Sequence, residues 1–65
     1  MKFVVIQEVG GRWVWELRNI DGDAVCRSAM GFKDREQVFK AIHAVRGNAP
    51  RALVFDPLGT LYEGV

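Results

Sequence analysis

An aspartate near the end of the chain is the residue whose setting most suggests chemistry. Asp56 follows the apolar residues 53–55 and precedes a Pro-Leu-Gly turn, within the stretch VFDPLGTL. A carboxylate in such a position can act as a nucleophile and form a covalent intermediate, provided that neighbouring groups activate and orient it. The first question is therefore whether Asp56 is a catalytic residue or marks the end of a strand.

The stretch VFDPLGTL resembles the nucleophile motif of the haloacid dehalogenase superfamily. Phosphotransferases of that superfamily carry a second Asp two residues after the first, where this chain has Leu58. Only nine residues follow Asp56, so we expect that the Lys and the further carboxylates of such a site cannot follow it. We predict no catalytic residue here and a turn that Asp56-Pro57 opens and Gly59 closes. A hydrolase with Asp56 as its nucleophile stays as the remote alternative.

The sequence contains one His and one Cys, and neither has the neighbours that chemistry would need. His43 lies beside the apolar stripe of a predicted helix, where no nearby Cys, Asp or Glu has the spacing of a metal ligand. Cys26 lies on a predicted strand opposite Leu17, a position that favours a small buried apolar residue over a reactive thiol. We therefore expect no metal site and no cofactor.

Two Trp residues and three nearby Arg residues suggest a surface for nucleic acid. Single-stranded nucleic acids bind on exposed aromatic rings flanked by basic side chains, and the candidates are Trp13, Trp15, Arg12, Arg18 and Arg27. Alternation along a strand places the two Trp on one face and Arg18 and Arg27 on the other, which favours the core for both rings. The charge is nearly balanced, with 9 basic and 8 acidic residues. Nucleic-acid binding by the sheet face is kept as an alternative function.

Three predicted strands position these residues. They are short segments rich in β-branched and aromatic side chains, at residues 2–9, 12–19 and 23–29. Gly10-Gly11 marks the first hairpin turn, and Asp21-Gly22 predicts a two-residue type I′ turn for the second.

The predicted type I′ turn fixes the pairing of the second and third strands. It places Glu16 opposite Arg27, which predicts an opposite-charge pair across the strands. It also places Leu17 opposite Cys26 and Trp15 opposite Ser28. The face that carries the two Trp and Leu17 is expected to be the core face.

The pairing of the first strand is not fixed in this way. A one-residue change in loop length decides whether Phe3 and Val5 or Val4 and Ile6 face the core. The pair that faces outwards joins Val14 in a mixed surface of apolar and charged side chains. Such a surface, if uncovered, is a candidate site for a protein partner or a ligand.

One helix follows the strands. Asp34 is a good N-cap and Gln37 completes a capping-box pattern, while Gly47 and Pro50 are typical of a helix end. The pattern predicts a helix over residues 35–46, whose apolar stripe covers the core face of the sheet. The predicted core consists of side chains from the sheet and from this stripe: Trp13, Trp15, Leu17, Cys26, Val38, Ile42 and Val45.

A fourth strand is predicted at residues 51–56, and residues 60–62 are expected to form a short extended tail. Whether this tail folds back as another strand or packs loosely stays open. The order of elements is then β-β-β-α-β, an α+β domain with an antiparallel sheet and one helix on one face. We expect residues 1–65 to form a single domain.

Several short motifs occur in a distinctive order along these elements. They are Trp15-Glu16-Leu17 before Asp21-Gly22, then Ser28 with Gly31-Phe32, then Ile42-x-x-Val45-Arg46 followed by Asn48-Ala49. In this order they resemble the YegP-like family of small bacterial proteins, also called the domain of unknown function 1508. The resemblance covers roughly residues 3 to 56.

The resemblance implies an assembly. In that family two β-β-β-α-β units build one continuous sheet and exchange their C-terminal strands, so this chain is expected to form a homodimer. The residues expected to cross to the partner subunit are Ala52, Leu53, Val54 and Phe55. Size supports this expectation independently, since a domain of 65 residues buries only about 60% of its unfolded surface.

The expected function is that of a small non-enzymatic dimeric binding module, whose target the sequence does not identify. The sequence contains no stretch of about 20 apolar residues, so we predict no membrane span. The N-terminus lacks the pattern of a signal peptide. A single unpaired Cys fits a reducing compartment. We therefore expect a cytoplasmic protein.

Overall fold

The computed structural model describes residues 1–65 as a three-stranded antiparallel sheet followed by one helix. The elements in chain order are β1 (Lys2–Gln7), β2 (Trp13–Arg18), β3 (Ala24–Arg27), α1 (Arg35–Asn48) and a short 3-10 turn (Ala49–Arg51). Each strand pairs with its neighbour in sequence, in the order β1-β2-β3. The predicted α+β class is confirmed. No helix combines the length and the apolar character that crossing a lipid bilayer requires.

Both hairpins of the sheet are closed by a three-residue turn that ends in glycine. In the first, the N–H of Glu8 donates to the carbonyl of Arg12 at 2.7 Å, and Gly11 donates to the carbonyl of Glu8 at 2.9 Å. Gly11 has φ +86°, and Gly22 takes the corresponding place in the second hairpin with φ +88°. This is a type I turn followed by a left-handed residue, a conformation that glycine adopts without strain.

The predicted type I′ turn at Asp21-Gly22 is therefore wrong. A type I′ turn needs positive φ at both central residues, and no residue other than glycine has positive φ in this chain. The side chain of Asn19 explains the longer loop, because its Oδ1 accepts the N–H groups of Asp21 and Asp23, each at 3.0 Å. A polar side chain at this position commonly organises a turn in this way.

The predicted strand pairing is nevertheless correct. Glu16 lies opposite Arg27, and Leu17 lies opposite Cys26. A β-bulge just beyond Leu17 restores the predicted register, because it absorbs the one residue by which the loop is longer than expected.

The structure settles which side of β1 faces the core. Phe3 lies opposite Leu17 and Val5 lies opposite Trp15, so both side chains share the face on which α1 packs, here called the inner face. The rings of Phe3 and Trp15 meet edge to face, with centroids 5.5 Å apart, a contact worth about 0.5–1.5 kcal/mol beyond the area it buries. Val4 and Ile6 lie on the opposite, outer face.

The caps of α1 follow the predicted pattern with small changes. The side chain of Asp34 accepts the N–H of Gln37 at 3.0 Å, and Gln37 accepts the N–H of Lys33 in return. The helix continues two residues beyond the predicted end, since Gly47 keeps a helical backbone and Pro50 enters the 3-10 turn that follows.

The core of the single chain is very small. Trp15 (7% exposed) and Val38 (0%) are its only buried side chains. The other predicted core residues on β2 and α1 are half-buried: Trp13, Leu17, Ile42 and Val45.

Cys26 is exposed, against the expectation that it is buried. The reason is that the helix does not cover the third strand. α1 packs on β1 and β2, whereas all four residues of β3 are exposed. Alternation along the strand indicates the face on which Cys26 lies, but not whether another element covers that face.

The predicted fourth strand at residues 51–56 forms no part of the sheet of its own chain, and its expected exchange with a partner subunit stays a prediction. Arg51 ends the 3-10 turn, and the chain becomes extended at Ala52. No backbone hydrogen bond connects residues 53–65 to the sheet or to α1.

Candidate interaction surface

The C-terminal segment folds back on itself as a third hairpin, here called the C-terminal hairpin (residues 53–62). The N–H of Tyr62 donates to the carbonyl of Val54 at 2.8 Å, and the N–H of Asp56 donates to the carbonyl of Thr60 at 3.0 Å. Between these two pairs, residue 55 lies opposite residue 61. The short tail that the sequence left undefined is therefore the return arm of a hairpin.

The turn of this hairpin repeats the construction seen twice in the sheet. Gly59 has φ +90° and donates to the carbonyl of Asp56 at 3.1 Å. Oδ1 of Asp56 accepts the N–H groups of Leu58 and Thr60, each at 2.9 Å. Asn19 makes the equivalent pair of bonds in the second hairpin of the sheet.

This geometry gives Asp56 a structural role in the turn. The turn predicted from Asp56-Pro57 to Gly59 is confirmed, and one carboxylate oxygen accepts two hydrogen bonds within it. The other residues considered for chemistry lie on different elements, with Cys26 on β3 and His43 exposed on α1. The chain contains no group of three His, Cys, Asp or Glu that would hold a metal ion.

The C-terminal hairpin presents an apolar face to solvent. Alternation and the pairing across the hairpin place Leu53, Phe55 and Leu61 on one face. These three side chains are between 41 and 68% exposed. Val54 and Tyr62 lie on the opposite face and are also exposed. Large exposed apolar patches are typical of interaction sites, so this face is the candidate site on the chain.

The backbone of the same segment has an open edge. Val54 and Asp56 direct their hydrogen-bonding groups towards the return arm. Leu53 and Phe55 direct theirs to the other side, where they have no partner in the chain. The outward sides of β1 and β3 are open in the same way, since neither strand has a neighbour beyond it. Open edges are templates for pairing with a strand of another molecule.

The surface of the chain is larger than its size requires. A folded chain of 7.3 kDa exposes about 4,200 Å², whereas this chain exposes 5479 Å². Its radius of gyration is 14.0 Å, compared with about 11 Å for a compact domain of this length. The C-terminal hairpin therefore adds surface without adding a core.

The outer face of the sheet combines ion pairs with apolar side chains. Glu16 accepts from Nη2 of Arg27 at 2.8 Å and from Nε of Arg18 at 3.0 Å. The predicted Glu16–Arg27 pair is confirmed, and Arg18 is an additional partner that the sequence reasoning did not identify. Beside these pairs, residues 29–31 leave the strand and border an open depression of about 310 Å³, with Ile6 and Val14 in its lining.

The two Trp side chains lie away from this outer face. Trp15 packs against Phe3 on the inner face and is buried. The Trp13 ring is half-buried, with the guanidinium of Arg35 at 5.7 Å from its centroid. The register of the sheet leaves no aromatic side chain of β1, β2 or β3 on the outer face.

Sequence reasoning left open whether residues 60–62 fold back as a strand, although a signal that decides it exists. In both Asn19-x-x-Gly22 and Asp56-x-x-Gly59, an Asn or Asp stands three residues before the glycine. The shared spacing predicts the same turn in both places, and a turn of this type brings the following residues back beside the preceding ones.

Comparison with known proteins identifies the family. The model of a domain of unknown function, DUF1508, matches residues 9–56. None of the curated proteins matches the chain. Among solved structures, the NMR solution structure of a protein from Haloferax volcanii is similar, with a TM-score of 0.78 and 25% sequence identity over 85% of this chain and 92% of that chain. The family match covers the sheet from its first turn, the helix and the first arm of the C-terminal hairpin, and the protein belongs to the DUF1508 family, as its motifs predicted.

Proposed function

We propose that the protein is a non-enzymatic homodimeric binding module whose subunits exchange the segment Ala52–Phe55. In this proposal the segment of one subunit pairs with an open edge of the partner's sheet and supplies its fourth strand. The observation that carries the proposal is the C-terminal hairpin itself, an apolar structure that makes no backbone hydrogen bond to its own sheet or helix.

The area available for burial agrees with a dimer. The surface of the chain exceeds that of a compact domain by about 1,300 Å². If two chains each buried this excess against the other, the interface would total roughly 2,600 Å². This is within the range of about 2,000–5,000 Å² found for obligate homodimers. A second copy is therefore an occupant of the right size.

The chemistry of the two surfaces also matches. Strand addition uses main-chain hydrogen bonds for affinity and alternate side chains for specificity. Leu53 and Phe55 offer unpaired backbone groups and apolar side chains. On the inner face next to the open edge at β3, Cys26 lies uncovered beside half-buried Leu17. A twofold-symmetric dimer makes each such contact twice.

The outer face is the surface that the proposed exchange leaves for a target. Two of its arginines, Arg18 and Arg27, are engaged in ion pairs with Glu16, and its strands carry no exposed aromatic ring. We therefore propose a protein or a small ligand as the target, in preference to nucleic acid. The proposal keeps the expected cytoplasmic location, which rests on the unpaired Cys26.

Sedimentation analysis of the full chain at micromolar concentration tests the dimer. We expect a species of twice the 7.3 kDa chain mass, and a monomer under these conditions would contradict the proposal. Amide hydrogen exchange then locates the docked edge. Protection of the outward N–H groups of Phe3 and Val5 would identify β1, and protection of the outward N–H of Arg27 would identify β3.

A further inference from the structure

We infer that the unit exchanged between subunits is the whole C-terminal hairpin, and that Leu61 contributes to the dimer interface as Phe55 does. The partner that this surface fits is a second copy of the chain. The inference rests on the proposed dimer and extends it beyond Asp56, where the match to the family model ends.

The backbone shows that the hairpin does not have to open for the exchange. A strand has two hydrogen-bonding edges, and here they serve different purposes. The edge at Val54 and Asp56 is occupied by the return arm. The edge at Leu53 and Phe55 is unoccupied, so it can pair with the partner's sheet while the hairpin stays closed.

The side chains place Leu61 on the surface that would be buried. Leu61 lies directly opposite Phe55, and facing residues of an antiparallel pair project to the same side. Leu53 and Phe55 project to that side as well. A surface that buries the exchanged strand through Phe55 therefore also reaches Leu61, although Leu61 belongs to the segment outside the family match.

The return arm also shortens the open edge that a single exchanged strand would leave. A lone strand docked on one edge presents its other edge to solvent, where further chains can add and cause aggregation. Residues 60–62 occupy that second edge in this chain, and only the shorter outward edge of the return arm stays open. Two features hold the turn in place: the double acceptor Asp56 and the left-handed Gly59.

Three alanine variants of the full chain test the inference by sedimentation equilibrium. Leu61→Ala and Phe55→Ala are each expected to raise the dissociation constant of the dimer about tenfold or more, since each removes a buried apolar side chain. Leu58→Ala is the matched control, because Leu58 stands at the tip of the hairpin and is 92% exposed. We expect it to change the dissociation constant less than about twofold, as an exposed surface substitution.

The outcomes separate the inference from the proposed function. Weakening by Phe55→Ala together with an unchanged Leu61→Ala would overturn the inference and leave the strand exchange standing. A wild-type chain that is monomeric would overturn both. Because residues 53–65 make no backbone hydrogen bond to the sheet or helix, the variants are expected to keep the circular dichroism of the parent.

Amide exchange in the unmodified dimer gives a second test that needs no variant. We expect the N–H of Tyr62, which donates to Val54, and the N–H of Phe55, which is free in the single chain, to be protected together. Protection of Phe55 with fast exchange at Tyr62 would mean that a single strand is exchanged and the return arm is displaced, which contradicts the inference.

Discussion

Two hairpins of this protein share one turn and differ in what surrounds them. The hairpin at residues 19–23 belongs to a sheet that packs under α1, whereas the C-terminal hairpin makes no backbone hydrogen bond to the rest of the chain. Both have an Asn or Asp side chain that accepts two backbone N–H groups, and both end in a left-handed glycine. The comparison separates what local sequence specifies from what burial adds.

The hairpin at residues 19–23 gains its stability from the small core beneath it. The strand that leads into it contains Trp15, whose buried ring meets Phe3 on β1. The C-terminal hairpin has an apolar face of comparable kind, formed by Leu53, Phe55 and Leu61, but that face is exposed. A two-stranded hairpin is at best marginal in water. Its lasting order would therefore depend on the partner that we propose.

The largest effect is expected from the core of the sheet. Trp15→Ala should lower the free energy of unfolding by about 3–5 kcal/mol, the range for removing a large buried aromatic side chain. Since small domains are stable by only about 5–15 kcal/mol, this variant will be close to unfolded. Urea denaturation at one fixed protein concentration measures the change. Trp13→Ala, at a half-buried ring, is the comparison, and an equal loss in both variants would show that Trp15 does not dominate the core.

The two turn glycines give the next largest difference. A side chain at Gly22 or Gly59 meets no atom within 4 Å, so alanine there is resisted only by the positive φ, at a cost of about 1–2 kcal/mol. Gly22→Ala should lower the free energy of unfolding by that amount. Gly59→Ala should act through the C-terminal hairpin, so we expect it to raise the dissociation constant of the proposed dimer and to increase exchange at the amide of Tyr62.

A third glycine provides a control in which alanine should raise the free energy of unfolding. Gly47 lies in α1 with ordinary helical geometry and open space around its Cα. Gly47→Ala should therefore stabilise the protein by about 0.5–1 kcal/mol, through the higher helix propensity of alanine. Equal destabilisation by all three substitutions would refute the explanation by backbone conformation.

These turns also show how far the sequence predicts the fold. The strand pairing was predicted correctly although the turn was not, because the β-bulge beyond Leu17 compensates for the longer loop. The error came from treating Asp21-Gly22 alone and not weighing Asn19, whose side chain organises the turn. Such side-chain to backbone bonds are local, so this part of the structure was within reach of sequence reasoning.

Which faces are covered by another element could not be predicted from the sequence. The alternation of β3 predicts which face carries Cys26, but the extent of the sheet that one helix covers depends on how α1 is placed across β1 and β2. The segment from Leu53 to Phe55 poses the same problem between chains. Its apolar pattern predicts a buried strand, and the single chain leaves it exposed. A pattern in one sequence indicates that burial is needed and does not indicate which surface supplies it.

The turn side chains Asn19 and Asp56 should give a smaller difference in stability between the two hairpins. Asn19→Ala and Asp56→Ala each remove an acceptor of two exposed backbone hydrogen bonds. Because water replaces the lost acceptor, we expect the low end of the net value, about 0.5 kcal/mol for each bond. Asn19→Ala should lower the urea midpoint of the sheet at every protein concentration. Asp56→Ala should act through the proposed dimer, so we expect faster exchange at Tyr62 and a midpoint shift that disappears below the dissociation constant. A shift that persists in Asp56→Ala at such low concentrations would indicate that the C-terminal hairpin supports the fold of its own chain.

The smallest expected effect is that of Asp56→Asn, and it decides the question raised by the stretch VFDPLGTL. An amide oxygen accepts the same hydrogen bonds as one carboxylate oxygen, as Asn19 does in the corresponding turn, so protection at Tyr62 should be unchanged. A nucleophilic carboxylate would not tolerate this substitution, because the amide cannot attack. We therefore expect the wild type and Asp56→Asn to be alike in hairpin protection and alike in showing no phosphatase or dehalogenase activity. Hydrolysis by the wild type that Asp56→Asn abolishes would make Asp56 a catalytic residue, and its likeness to Asn19 would then be incidental.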